Sequence, residues 1–570
     1  MASPYNSAMR IAAFSFMLLS CAVHAQAVPD AFEITQRFAE TSAPQLALTR
    51  VEQLQPAQTT APRWAEWEQL RCTLLARLAR HQELTKRVAA LPAGAPEKMV
   101  RSCLLQGARA ALANGEGALA RRFLARLLWR QELPADEMRH ARLLVIETYL
   151  ADDQAQDAYA LMLRYQQDYK PVDRETAARF VDALLAIGME KEAVNWFGQL
   201  DDASPLKLLL RLKTNLLTPE AVVAQARAAL AKTKNAAYWL VLEHAAIVQK
   251  DRLLQAESLE NLLQLAGDKP AARVSGLAAE LWKTYAAAAQ DVANENRLLV
   301  GDDNGWADYA ARRSSVNPVA GRALFAYLGQ QSKVRATRQS SQLQLVYSLQ
   351  NAKLGLAATR LFDDAARFPV TQVDAQARFL LGTLAVESNQ PQAAARYWQG
   401  LAAPPTLEAD EWRVRLAAVL VRASIAEPGA DVLRGLIAGK KALAPEIAQR
   451  SLAVVQELQD TGFFKTADEL YRALLPLAAA RERREILFAL ARIAESFNDF
   501  ETAADYFLEA ALLIDPKTPD AFAINSRLAA ASNLGRAGLK DDARAQFEWL
   551  RKNVRDADKL EVIRREMLKL

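Results

Sequence analysis

The chain has few glycines and prolines, 21 and 22 among 570 residues. A protein with many β-strands needs these residues for its tight turns, so a many-stranded β fold is disfavoured. The long segments are rich in Ala, Leu, Arg, Glu and Gln, which are all strong helix formers. The length excludes a single compact core. We therefore expect an all-α protein made of several domains or of one elongated helical array.

A large excess of charge of one sign is also missing. The formal net charge is +5, and 71 basic and 66 acidic residues are interspersed along the chain. Nucleic-acid-binding proteins concentrate Lys and Arg on one face, so no nucleic-acid partner is expected. The densest basic run alternates with leucines on a predicted amphipathic helix and consists of Arg121, Arg122, Arg126 and Arg130. This pattern indicates a solvated helix face, with contact to a membrane or polyanion as the alternative.

Recognisable catalytic and metal-binding motifs are absent from the sequence. His81, His140 and His244 lie far apart and belong to no zinc-ligand pattern. No phosphate-binding glycine loop or nucleophile elbow is present. An acidic run from Asp302 to Asp308 could offer oxygens to calcium, but it lacks EF-hand spacing and fits an Asp-capped helix start better. We expect no catalytic residue, no metal and no cofactor, and predict that the protein is not an enzyme.

Long apolar runs are lacking as well, and no segment reaches the roughly 18 apolar residues of a transmembrane helix. A short apolar run at residues 11–19 follows Arg10 and precedes the small residues Ala25 and Ala27. This order predicts a secretory signal peptide over residues 1–27 and a periplasmic mature chain. In the alternative interpretation, Cys21 closes a loose lipobox and is lipidated, which would tether the chain to the outer membrane.

Only two cysteines, Cys72 and Cys103, would remain after removal of the signal peptide. Two cysteines in an oxidising compartment invite a disulfide. Both lie on predicted helices of consecutive hairpins, at similar heights, so a bridge is feasible. Two small buried thiols on apolar helix faces are the other interpretation.

The sequence does contain a recurring pattern. A turn residue is followed five positions later by Ala, and after four more positions by an aromatic or large apolar residue. Six copies have all three residues: Gly115, Ala120 and Leu124; Asp153, Ala158 and Met162; Gly188, Ala193 and Phe197; Gly462, Ala467 and Tyr471; Asn498, Ala503 and Phe507; Gly538, Ala543 and Phe547. Two central copies have Ala358 with Phe362 and Ala394 with Trp398. The small residue allows two helices of a hairpin to approach, and the large one fills the gap to the next hairpin.

The best copy, from Arg484 to Pro516, resembles the tetratricopeptide repeat family. The matching positions are Leu487, Leu490, Ala491 and Ala494 in the first helix, and Ala503, Phe507, Ala510, Asp515 and Pro516 in the second. The resemblance is clearest over residues 445–554 and degenerate over most of the rest. It implies a right-handed α-solenoid of antiparallel helical hairpins, in which each hairpin buries its face against its neighbours.

The pattern divides the chain into four parts. After the signal peptide, residues 28–200 hold degenerate repeats, and residues 346–570 hold the clearest ones. Residues 201–345 are also predicted to be helical, but the small and large positions drift there. A break near residues 301–318, marked by Gly301, Gly305 and Asn317-Pro318, suggests a bend or an insertion.

The resemblance implies a scaffold that binds a protein or peptide partner, such as an envelope component, in the concave groove of the solenoid. Groove contacts in this family come from the first helix of each hairpin. Mapped onto the best copies, the candidate partner-binding residues are Gln456, Gln459, Arg492, Glu495, Asn525 and Ser532. A solvated helix face is the alternative interpretation of these residues. We expect a role in envelope or secretion assembly.

Two other functions are open at this stage. The protein could be a component of exopolysaccharide synthesis or export that binds polymer or the export machinery, in which case Trp306, Trp398 and Trp549 are candidate stacking platforms for sugars. It could also be the superhelical part of a peptidoglycan-acting enzyme, as in soluble lytic transglycosylases. The repeats run to the end of the sequence given, and no lysozyme-like segment follows them, which makes this second alternative the weaker one.

Overall fold

The computed structural model describes residues 30–40, 43–129, 133–267, 271–514 and 518–570. These residues form α-helices and short 3₁₀ turns, and no β-strand occurs among them. The contacts divide the chain into two compact units, which we call unit 1, ending at Thr214, and unit 2, beginning at Asn215. The four-part division proposed from the sequence remains a prediction.

Unit 1 contains eleven α-helices among the described residues. They are α1 (Ala31–Glu40), α2 (Pro44–Leu54), α3 (Trp64–Arg77), α4 (His81–Ala89), α5 (Glu97–Ala113), α6 (Gly117–Leu128), α7 (Ala135–Ala151), α8 (Ala155–Asp168), α9 (Arg174–Ala186), α10 (Glu190–Ala193) and α11 (Pro205–Lys213). A 3₁₀ helix, Val194–Gln199, continues α10.

Unit 2 contains nineteen α-helices among the described residues. They are α12 (Pro219–Leu230), α13 (Ala236–Gln249), α14 (Arg252–Gln264), α15 (Ala271–Glu295), α16 (Asp303–Ser314), α17 (Pro318–Gln331), α18 (Arg335–Asn351), α19 (Gly355–Leu361), α20 (Ala375–Glu387), α21 (Pro391–Trp398), α22 (Ala409–Arg422), α23 (Ala426–Ile437), α24 (Pro445–Asp460), α25 (Phe464–Leu474), α26 (Ala480–Ser496), α27 (Phe500–Leu512), α28 (Ala521–Arg536), α29 (Lys540–Asn553) and α30 (Ala557–Met567). Short 3₁₀ turns lie at Val370–Gln372 and Leu475–Leu477.

Consecutive helices pair into hairpins, and the hairpins stack. Each helix packs mainly against the next one in the chain, as in α5 with α6, α26 with α27 and α28 with α29. The second helix of one hairpin then packs against the first helix of the following hairpin, as α27 does against α28. The structure therefore confirms the all-α solenoid architecture, in which no hairpin buries its apolar face alone.

The recurring sequence pattern has a direct structural basis. In all eight copies the residue five positions before the alanine has a positive φ: Gly115, Asp153, Gly188, Lys353, Asn389, Gly462, Asn498 and Gly538. The eight alanines are completely buried: Ala120, Ala158, Ala193, Ala358, Ala394, Ala467, Ala503 and Ala543. A left-handed residue thus ends the first helix and reverses the chain. The alanine that follows permits close packing of the two helices.

One predicted large position is wrong. Phe197 is only half-buried, and Trp196 is the completely buried residue instead. The helix tightens into a 3₁₀ helix after Ala193. A 3₁₀ helix has three residues per turn, so the residue on the same buried face as Ala193 is Trp196, three positions later, and not Phe197. The large residues of the other seven copies are buried.

The middle of unit 2 departs from neighbour-by-neighbour stacking. The long helix α15 packs against α14, α17 and α19. Within this part Glu260, Tyr285 and Arg322 form a buried polar cluster: Arg322 Nε donates to Glu260 Oε1 at 2.7 Å, and the Tyr285 hydroxyl donates to the same oxygen at 2.6 Å. The sequence pattern drifts in this region because α15 has several partners instead of one.

The segment predicted as a break contains helix α16. Asp302 caps it by accepting a hydrogen bond from the backbone N–H of Gly305 at 2.9 Å, and Asn317 caps α17 in the same way. The predicted Asp-capped helix start is therefore confirmed.

Candidate protein-binding face

The last three hairpins carry all six residues predicted to contact a partner. Gln456 and Gln459 lie on α24, Arg492 and Glu495 on α26, and Asn525 and Ser532 on α28, which are the first helices of their hairpins. Gln456, Arg492 and Asn525 are exposed, whereas the other three are half-buried. We call the surface formed by these six residues the first-helix face.

Glu495 connects two neighbouring hairpins across this face. Its carboxylate accepts from Arg492 Nη1 at 2.5 Å on its own helix, and from Asn533 Nδ2 at 3.4 Å and Arg536 Nη1 at 3.2 Å on α28. Glu495 is therefore occupied by structural contacts, and it holds two arginines side by side. Asn533 and Arg536 were not predicted from the sequence, because neither occupies a repeat position equivalent to those chosen on the other two helices.

Gln459 and Asn525 also have partners within the chain. Gln459 Oε1 accepts from the hydroxyl of Tyr471 at 3.2 Å, and burial raises the pKa of that tyrosine, so the hydroxyl stays a donor. Asn525 Oδ1 accepts from Lys559 Nζ on α30 at 2.9 Å. These two predicted residues therefore hold the array together, and Gln456 and Arg492 are the more accessible ones for a partner.

Exposed phenylalanines lie at the hairpin turns beside this face. Phe463 and Phe464 follow the end of α24, and Phe497 follows the end of α26. The rings of Phe464 and Phe497 are edge to face with centroids 6.4 Å apart, and Phe497 is 53% exposed. The Arg536 guanidinium covers the neighbouring Phe500 ring at 4.4 Å. Exposed apolar rings rimmed by polar groups are typical of protein-binding surfaces.

The sequence analysis did not select these phenylalanines. Their position beside a left-handed residue does not distinguish them, because an apolar residue often follows such a residue at the end of a helix. Here Phe463 directly follows Gly462, and Phe497 directly precedes Asn498.

The three tryptophans proposed as sugar platforms do not present open ring faces. Trp306 and Trp398 are buried, and Trp306 stacks on Tyr327 with ring centroids 5.1 Å apart. Trp549 is half-buried, and the Arg527 guanidinium lies 3.7 Å from its ring centroid. Trp306 and Trp398 are therefore closed to a saccharide chain, and the Arg527 guanidinium covers one face of Trp549.

Cys72 and Cys103 are neighbours on α3 and α5, and both are completely buried free thiols in the structure. A hydrogen bond with the Cys103 thiol, together with burial, raises the pKa of Cys72. Cys103 Sγ also lies 3.6 Å from Met99 Sδ. The structure thus shows the free-thiol alternative, and the disulfide remains a prediction for the oxidised chain.

Several sequence predictions fall outside the described residues. They concern the signal peptide over residues 1–27, the lipidation candidate Cys21, the basic residue Arg130 and the helix stop at Pro516. Within the described part of the chain, no helix combines the length and apolarity needed to cross a membrane.

Comparison with known proteins leaves the family of this chain open. No family model and no curated protein matches the sequence. Matching solved structures include the APC/C hetero-tetramer Cut9–Hcn1, with 11% identity, coverage of 95% of this chain and 97% of that chain, and a TM-score of 0.31. Yeast Tom70 matches with 12% identity, 95% and 94% coverage and a TM-score of 0.23. Naa15/Naa10 bound to HypK-THB matches with 12% identity, 95% and 99% coverage and a TM-score of 0.22. Such low TM-scores do not establish a shared fold, so the fold assignment rests on the helix packing of the chain itself.

Proposed function

We propose that this protein is an exported, tetratricopeptide-like scaffold that binds a protein or peptide partner at the first-helix face and takes part in envelope or secretion assembly. The main supporting observation is that three phenylalanine rings are exposed beside that face. We call these three residues, Phe463, Phe464 and Phe497, the phenylalanine edge. The export of the protein rests on the predicted signal peptide, and its action by binding and not by catalysis rests on the lack of catalytic motifs.

The first-helix face and the phenylalanine edge suit a peptide that offers both apolar and polar groups. The rings would hold apolar side chains of the partner. Gln456 can donate and accept hydrogen bonds. Arg492 and Arg536 are held next to each other by their hydrogen bonds to Glu495, and both can also contact a partner. Aromatic and arginine side chains contribute most of the binding energy in many protein interfaces.

Site-specific photo-cross-linking in the native cell envelope tests this function. A photoreactive residue at Gln456 or Phe497 should form an adduct with a discrete protein, and Phe497→Ser should reduce the adduct formed from position 456. A photoreactive residue at Glu548, which is exposed on the second helix α29, is the control and should give no such adduct. Capture of polysaccharide and no protein at positions 456 and 497 would overturn the proposal. The mass of the mature N-terminus, measured in the same preparation, tests export and lipidation of Cys21.

A further inference from the structure

Unit 1 contains an open pocket of about 440 Å³ between α6, α7 and α8. Its lining is mainly apolar and comprises Leu128, Trp129, Met138, Val145, Ile146 and Leu161. Unit 1 has no part in the first-helix face, so the pocket is independent of the proposed function.

Trp129 stands at the rim of this pocket, directly after the end of α6, and is 85% exposed. An indole has a large apolar area, and most of it contacts only solvent here. Tryptophan is among the residues most enriched at the centres of protein interfaces, because its burial against a partner releases a large hydrophobic free energy.

Of the described residues that line the pocket, the two charged ones are arginines, Arg142 and Arg164. Arg142 forms an ion pair with Asp168, while Arg164 is exposed and has no ion pair within the described residues. Arg122 and Arg126 are exposed on α6, two turns and one turn before Trp129, and they too lack ion pairs within the described residues. Two arginines of the basic run noted in the sequence therefore lie on the helix whose C-terminal end borders this pocket.

Acidic side chains, including the exposed Asp157, also lie on the helices that form the pocket. Asp136 and Glu137 lie exposed in the first turn of α7, next to Met138, and Asp168 is already paired with Arg142. Among the residues that the structure describes, no carboxylate lines the pocket itself. The two arginines in the lining therefore favour a ligand that carries a carboxylate next to its apolar group.

Tyr165 contributes its ring to the lining and not its hydroxyl. The side chain is only 2% exposed, and the hydroxyl is buried beside Thr176 at the start of α9. A ligand in the pocket would therefore contact the apolar ring of this residue.

We propose that this pocket binds an acidic peptide segment of a partner protein, with a large apolar side chain of the segment seated against Trp129 and a flanking carboxylate paired with Arg164. The apolar lining selects the side chain, and the arginines select its acidic neighbours. A membrane surface fits less well, because the apolar groups form a concave pocket and do not project outward as an amphipathic helix in a bilayer does.

Fluorescence anisotropy with a labelled synthetic peptide tests this proposal on the purified mature chain. The probe contains one phenylalanine flanked by two aspartates on each side. We expect saturable binding that weakens as salt is added. Serine in place of the phenylalanine, or lysine in place of the aspartates, should weaken binding by roughly tenfold or more.

Substitutions at two exposed residues of the pocket test whether the probe binds there. Arg164→Glu and Trp129→Ser should each weaken binding of the probe by roughly tenfold. Arg551→Glu and Val300→Ser make matched changes at exposed positions in unit 2 and should leave it unchanged. Circular dichroism of every variant should equal that of the unsubstituted chain.

Three results would overturn the proposal. They are failure of the acidic probe to bind, equal binding by Arg164→Glu and Trp129→Ser, and equal binding of the serine-containing peptide. Binding to vesicles of anionic phospholipid that depends on Arg164, without binding of the peptide, would assign the pocket to a membrane surface instead. The photo-cross-linking test of the first-helix face concerns different residues, so each proposal can fail while the other stands.

Discussion

The Glu260 carboxylate and the Arg322 guanidinium form a bidentate ion pair in the core of unit 2. Arg322 Nε lies 2.7 Å from Glu260 Oε1, and Arg322 Nη2 lies 2.5 Å from Glu260 Oε2. Both side chains are buried, and the Tyr285 hydroxyl also donates to this carboxylate. The three residues come from α14, α15 and α17, so the pair fixes the arrangement of helices where the stacking pattern changes.

Removing one member of this pair should destabilise unit 2 strongly. Arg322→Met leaves the Glu260 carboxylate buried without its counter-charge, and we expect a loss of about 3–5 kcal/mol in the free energy of unfolding. The double variant Glu260→Leu/Arg322→Met removes both charges and should lose less than the single variant. Urea unfolding followed by circular dichroism measures both, and a double variant that loses as much stability as Arg322→Met, or more, would contradict this prediction.

Phe507 should be one of the most sensitive positions in the C-terminal hairpins. It is completely buried, and its ring packs edge to face on Phe488 with centroids 5.0 Å apart. Phe507→Ala should cost about 3–5 kcal/mol, because it leaves a cavity between hairpins. Phe497→Ala, which removes the same ring from an exposed turn, should change stability by less than about 0.5 kcal/mol. Native-state hydrogen exchange of the α27 amides compares the two, and equal protection would contradict the stacking role of Phe507.

Substitutions at two left-handed turn residues should change the stability of the protein in opposite directions. Lys353 has φ of 61°, which costs a side-chain-bearing residue about 1 kcal/mol, so Lys353→Gly should raise stability by about that amount. Gly462 has φ of 90° and open space around its α-carbon, so Gly462→Ala should lower stability through backbone strain alone. Thermal unfolding of the two variants should shift in opposite directions, and shifts of the same sign would show that the turns do not control hairpin stability.

Asp520 should contribute stability that is lost in acid. Hydrogen bonds from Arg484 at 2.8 and 2.9 Å, and from the backbone N–H of Ala523, hold the pKa of this carboxylate at about 2. The folded-state pKa lies below the ordinary value of 3.8, so the contribution is complete above pH 3.8 and declines as the pH falls to about 2. The side chain is 44% exposed, which limits the contribution to below about 1 kcal/mol.

A comparison of acid unfolding curves tests this carboxylate. In Asp520→Asn the cap is retained but the titrating group is absent, so the variant should be less stable than the unsubstituted chain at pH 5. The difference should shrink between pH 3.8 and about 2. A difference that is constant across this range would exclude titration of Asp520 as its source.

The hairpin unit could be predicted from the sequence because its determinants are local. Asn498, Ala503 and Phe507 lie within ten residues, and a helix places them at fixed positions relative to the turn. The same spacing failed at Phe197, because the helix tightens after Ala193 and nothing in the spacing reveals that change.

The candidate site was predicted only in part. The positions on α24, α26 and α28 follow from the repeat register, which placed Gln456 and Arg492 on exposed surface. The register does not show that Gln459 accepts a hydrogen bond from Tyr471, or that Glu495 is held by α28. These contacts depend on rotamers and on the distance between neighbouring helices.

The sequence by itself determined the all-α class, the hairpin as the repeating unit and the turn, alanine and large-residue positions that build it, because each depends on residues close together in the chain. Only the tertiary structure decided which helices α15 contacts, that Glu260 meets Arg322 across 62 residues, and that Trp129 and Arg164 border one pocket. Those relationships arise from how successive hairpins are rotated and spaced against each other. Many small packing contacts set that geometry together, and no single motif encodes it.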